Sequence, residues 1–170
     1  MDINIGLNRK KSEKILFALI RIALGWTFLW AFLDKMFGLG FTTLSEKSWV
    51  MGGSPTAGFL EFATKGPFAE FFQSLAGNPL IDWLFMLGLL LIGLSLMLGV
   101  MVRAASFFGI VLLLLMYLAA MPPEHNPLID DHIIYSLVLF LSFFIPVGTW
   151  LGLGKWWSKT RIVRKFPLLK

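Results

Sequence analysis

The stretch LIDWLFMLGLLLIGLSLMLGVMV, residues 80–102, decides the fold class. Apart from Asp82 near its start it is apolar for about the 20 residues a helix needs to cross roughly 30 Å of hydrocarbon. Three further runs share this character: Ile15–Leu33, broken only by Arg21, then Ala104–Met121 and Ile133–Leu151. Over its 170 residues the chain is 57% hydrophobic and 15% charged, whereas a soluble domain is about 45–50% apolar and about 25% charged. That contrast argues against a soluble enzyme, a disordered tail and a nucleic-acid binder. The expected fold is all-α: a polytopic membrane four-helix bundle, one domain over 1–170. Its spans are expected at about 14–37, 80–101, 104–121 and 132–152, in contact with the lipid bilayer.

Charge orients these spans. Basic residues gather before the first run (Arg9, Lys10, Lys11, Lys14), between the second and third (Arg103), and after the fourth (Lys155 to Lys170). Four spans return the chain to its starting side, so the positive-inside rule predicts a multi-pass cell-membrane protein with both termini cytoplasmic. Most of the acids, from Asp34 to Asp131, then fall on the outer side. The chain has no cysteine, which removes disulfides, thiolate metal or iron–sulfur ligation and thiol exchange. The first apolar run is too long for a signal h-region and reads as a retained span.

The outer loop, 38–79, is expected to carry two short amphipathic helices. Ser54-Pro55 reads as a helix start, followed by Phe59 and Phe62 on one side until Gly66. Pro67 opens the second, with Phe68, Phe71, Phe72 and Leu75 at helical spacing. Their aromatic faces suit either a space-filling cap or a lid over a ligand. The pairs Ser95/Gly99 and Ala105/Gly109 read as close-packing positions between spans.

Ionisable groups inside a membrane are costly, which makes them functional candidates. Arg21 either snorkels to the inner interface or binds an anionic or quinone head; it shares a helical stripe with Gly25, Phe28, Phe32 and Lys35. Asp34 and Lys35 close the first span as an interfacial ion pair or as a mixed-charge substrate site. Asp82 complements a helix N-terminus, as do Asp130 and Asp131. His132, with Tyr135 and Ser136 one turn on, suits a proton relay as well as a helix-end hydrogen bond. The spacing of His125 and His132 matches no metal motif, so no metal is expected, and nothing points to flavin or haem.

The run from Arg21 through Gly25, Trp26, Trp30, Asp34 and Lys35 to Gly38 resembles the first helix of the DoxX/DoxD family of small four-helix membrane proteins. The stretch Trp49 to Leu60, with Gly52-Gly53-Ser54-Pro55-Thr56, is similar to DoxD in particular, and Asp82-Trp83 to Gly88 and Asn126-Pro127 to His132 fit the same pattern. The resemblance implies the large membrane subunit of a thiosulfate:quinone oxidoreductase, acting with a small DoxA-like partner. Two thiosulfates would be joined into tetrathionate and two electrons passed to quinone. On that basis Lys35, with Arg21 deeper in, would counter the substrate's charge, and Asp131 would help to bind it. Asp34, Asp82 and His132 would handle protons, while Trp30 and Trp49 would flank a quinone ring. The other expectations are a non-enzymatic scaffold or assembly factor anchoring a redox partner, and an anion transporter, which lacks the paired interrupted spans such proteins use. A homo-oligomer is compatible with either leading reading, and no nucleic-acid partner is expected.

Overall fold

In hydrocarbon the backbone must satisfy its own polar groups, and the apolar runs accordingly form helices. The computed structural model describes residues 2–123, 126–166 and 169, with side chains from residue 9 onward, and no strand occurs among the described residues. The helices are α1 (Asp2–Phe37), the short α2 (Ala57–Phe62) and α3 (Ala69–Gln73), α4 (Pro79–Leu98), α5 (Val102–Ala119), α6 (Asp131–Phe144), and the short α7 (Gly154–Trp157) and α8 (Arg161–Lys165). Three segments are long and apolar enough to cross a bilayer: Arg9–Phe37, Pro79–Leu98 and Val102–Ala119, with mean hydropathies of 2.0, 2.2 and 2.1. Only about a third of each is buried inside the protein. The outward residues, among them Leu16, Leu91, Phe107 and Phe108, form the surface a lipid environment requires. This is a membrane protein.

α6 is shorter, at 14 residues, or about 21 Å of helix. It stops at Phe144 instead of running to 152. Ile145 precedes Pro146, the proline ring disfavours helical backbone there, and Ile145 is extended (φ −87°, ψ 134°). A single 3₁₀ turn, Val147–Thr149, follows.

The helices associate as two pairs. α1 lies mainly against α4, and α5 mainly against α6; α4 and α5 join the pairs less extensively, and α1 scarcely meets α6. Between α1 and α4 the backbones come close because glycines sit at the crossing. A methyl group on Gly25 would lie 2.8 Å from both Leu96 Cβ and Met97 N, and one on Gly93 would lie 2.7 Å from Leu29 N. In α5, Gly109 makes room for Leu139 of α6. Around these contacts Leu24, Phe28 and Phe32 of α1 interlock with Met86, Leu89, Ile92 and Leu96 of α4.

Arg21 ties α1 to the far end of the chain. Buried to 1% exposure, its guanidinium donates through Nη2 to the carbonyls of Trp150 (3.2 Å) and Leu151 (3.0 Å). Its Nη1 lies against Gly99, the left-handed residue (φ +73°) that ends α4; a side chain there would collide with the guanidinium. Phe17 and Lys14 meet the Trp150 ring at the same end. Hereafter this is the tail end; the opposite one, carrying residues 38–78, is the loop end.

The close crossing makes a paired prediction. Gly93→Ala should destabilise the protein by about 1–3 kcal/mol through overpacking. Gly88→Ala, on the same helix with only Leu112 Cδ2 at 4.0 Å, should be neutral or slightly stabilising because it removes a helix glycine. Thermal unfolding in one detergent separates the two, and equal losses would contradict the crossing.

Candidate functional site

At the loop end the sequence must turn back over the bundle mouth, and two buried carboxylates hold the turn. α1 stops at Gly38, left-handed at φ +65° and pressed against Leu44 and Ser45. One turn earlier Asp34, 1% exposed, accepts the N–H groups of Phe41 (3.2 Å) and Thr42 (2.9 Å) and the hydroxyl of Thr42 (2.6 Å). Asp82, in the first turn of α4, accepts the hydroxyls of Ser54 (2.9 Å) and Thr56 (2.6 Å) and the N–H of Thr56 (3.3 Å). Ser54 in turn receives Ala57 N–H at 3.1 Å and so starts α2. Both acids thereby pin the loop at residues 41–42 and 54–56. Beyond it Leu60 and Phe72 bury against Ala119, seating α2 and α3 on the end of α5, and Lys65 N–H donates to Ala119 O at 2.9 Å.

Beneath this loop, where α1 and α6 stand apart, lies a cleft of about 700 Å³. Its apolar floor is made by Phe28 and Ala31 of α1, Phe85 and Leu89 of α4, and Leu113 and Met116 of α5. Its polar groups are Lys35 and Thr27 of α1, Thr42, Thr43, Lys47 and Ser54 of the loop, and Asp131, His132 and Tyr135 of α6. A second cavity of about 510 Å³ lies between the α2–α3 segment and the chain leading into α6, lined by Lys65, Asn126, Ile129, Asp130, Asp131 and His132 among others. Asp131 and His132 line both spaces.

His132 is held in place. Asp130 caps α6, its Oδ1 accepting Ile133 N–H at 3.2 Å, while its Oδ2 lies 2.7 Å from His132 Nδ1. Burial alone would raise the Asp130 carboxyl, but the hydrogen bond to His132 and the backbone bond from Ile133 outweigh it and hold it below the usual carboxylate range. An ionised Asp130 can only accept, so Nδ1 donates in this pair.

The eight candidate residues therefore divide. Lys35, Asp131 and His132 stand together on the cleft. Asp34 and Asp82 are engaged with the loop backbone and hydroxyls instead. Arg21 is at the tail end, facing carbonyls. Trp30 sits between Trp26 (5.5 Å) and Phe41 (5.0 Å), and Trp49 is edge-on to Trp83 at 4.6 Å, so neither indole lines the cleft. Lys47 and Thr27 do line it but carry no sequence signature; only the path of the loop brings Lys47 over α1. His125 falls outside the described residues, and among those described no group of three or more metal-ligating acids and histidines occurs.

The class this defines is an all-helical membrane protein with a largely apolar cleft, carrying a few polar groups, at one end of its helices. No family model, no curated protein and no solved structure matches the chain.

The anchoring role of Asp82 is testable. Asp82→Ala leaves two hydroxyls and an N–H without their acceptor and should cost about 2–3 kcal/mol, with faster protease cleavage between residues 45 and 60. A variant with wild-type melting and cleavage would contradict it.

Proposed function

We propose that this chain is the membrane subunit of a quinone-linked oxidoreductase, and that the cleft holds the quinone head. The single observation carrying this reading is the cleft's composition: an apolar floor of aromatic and aliphatic residues meets Lys35, Lys47, His132 and Tyr135 within one cavity. A ligand for such a space has a flat, weakly polar head with carbonyl oxygens and an apolar body that prefers the bilayer. Sites of this kind, mostly apolar with a few convergent polar groups, are where small molecules bind.

On this reading four helices span the membrane, α6 with the turn after it completing the fourth crossing. Both termini are cytoplasmic, as the basic segments 9–14 and 155–165 favour, and the loop end faces outward. The electron donor is a small sulfur oxyanion of the thiosulfate type, as the likeness to the DoxX/DoxD family suggests. Two thiosulfate ions lose one electron each and join through a new sulfur–sulfur bond as tetrathionate. The quinone takes those two electrons and two protons to become quinol. Lys35 and Lys47 attract the anions and stabilise negative charge on the reduced ring, and His132 supplies protons. A small DoxA-like subunit acts as the partner.

A non-enzymatic scaffold is the second reading, favoured by the exposed rings of Phe62, Phe68 and Phe71 on the loop, which offer a docking face to a redox partner.

The test is thiosulfate-dependent quinone reduction by the protein in liposomes, with and without its partner chain. Lys35→Ala and His132→Ala should each lower the rate at least tenfold at unchanged melting temperature. Wild-type protein that retains its partner but reduces no quinone favours the scaffold, and full activity in both variants overturns the site.

A further inference from the structure

His132 forms part of the wall of two cavities, and its ring is fixed by a carboxylate from the segment that leads into α6. The larger space is the cleft with the apolar floor. The smaller one lies between residues 62–65 on one side and Ala120, Pro123, Asn126 and Ile129 on the other, and its lining mixes apolar groups with the polar ends of Lys65, Asn126, Asp130, Asp131 and His132. The His132 side chain is 23% exposed and that of Asp130 22%, so water reaches both.

We propose that the smaller cavity is the aqueous port for protons entering the cleft, with His132 as the relay and Asp130 as the residue that positions it. This rests on the reading of the cleft as a quinone site. His132 takes one proton at Nε2 from water in the port and gives that proton to a ligand oxygen in the cleft. Nδ1–H stays on Asp130 throughout, and the carboxylate stabilises the imidazolium that forms between uptake and release. One proton enters and one leaves per cycle, and two cycles complete one quinol. The charged and titratable groups facing the two cavities around this ring are Lys35 and Lys47 from α1 and the loop, Lys65 from the α2–α3 segment, and Asp130, Asp131 and Tyr135 from its own segment.

Asp130 does two jobs with two oxygens, and that makes the test clean. In Asp130→Asn the amide oxygen can keep the Ile133 cap while the NH₂ replaces the oxygen facing Nδ1. A donor there forces Nδ1 to accept, which moves the ring proton to Nε2. Asp130→Ser keeps a capping oxygen and presents nothing to Nδ1.

The experiment is nitrogen-15 NMR of histidine-labelled full-length protein in nanodiscs, with the His132 signals assigned by loss in His132→Gln. The expected result is a predominant Nδ1–H tautomer in the wild type, the Nε2–H tautomer in Asp130→Asn, and a mixture in Asp130→Ser. Adding decylubiquinone should then shift the wild-type Nε2 signal and leave Nδ1 in place. If the tautomer is the same in all three proteins, Asp130 does not position the ring and the relay is overturned. If the tautomers respond as expected but decylubiquinone moves neither nitrogen, the pair stands and the quinone reading of the cleft fails.

Discussion

Inside hydrocarbon, helices gain nothing by hiding apolar side chains from water, so a pair associates only where its surfaces fit closely. In this chain that fit is granted to two pairs and withheld from a third. Gly25 and Gly93 let the backbones of α1 and α4 approach until a single methyl group would collide. Gly109 lets α5 and α6 do the same through Leu139. Nothing comparable joins α1 to α6 along their length. They are tied at the tail end, where Arg21 reaches the carbonyls that follow α6, and stand apart at the loop end. The cleft follows from this uneven packing: two tight seams and one open one leave a space that the loop then covers.

The loop is held by charge, which is unusual for a segment lying over an apolar bundle. Asp34 and Asp82 are nearly inaccessible, yet each accepts three hydrogen bonds from loop groups. A buried carboxylate without such partners would be strongly unfavourable; with them it fixes residues 41–42 and 54–56 over the cleft. Polarity near the mouth is thus of two kinds. The two satisfied acids shape the roof. The groups left facing the cavity, Lys35, Lys47, His132 and Tyr135, are those free to meet a ligand.

Much of the scaffold could be read from the sequence because hydrophobic length is a one-dimensional property. The runs at residues 15–33, 80–102 and 104–121 correspond to the three helices long enough to span. The early end of α6 had its own signal in Pro146, since a proline commonly halts the helix just before it. The directions of the side chains were another matter. Helical periodicity puts Arg21 and Lys35 on one stripe, but two residues 14 positions apart lie about 21 Å apart along the axis, so they serve opposite ends. Whether Asp34 turns toward a ligand or toward Thr42 depends on where the loop returns, and no local pattern encodes that. For the same reason Trp30 and Trp49, expected to flank a quinone ring, could not be recognised as the partners of Phe41 and Trp83. Gly93 was visible as a glycine, while its contact with Leu29 depends on the register of a helix some 60 residues away in the chain.

The proposed quinone sits in the open seam between α1 and α6. That placement is tested most directly by irradiating the protein in liposomes with a photoreactive quinone and mapping the cross-links by mass spectrometry. Adducts should be confined to residues 27–35 of α1, 85–89 of α4, 113–116 of α5 and 131–135 of α6, and abolished by excess decylubiquinone. Adducts spread over lipid-facing residues such as Leu16, Leu91 and Phe108, and insensitive to competitor, would contradict it.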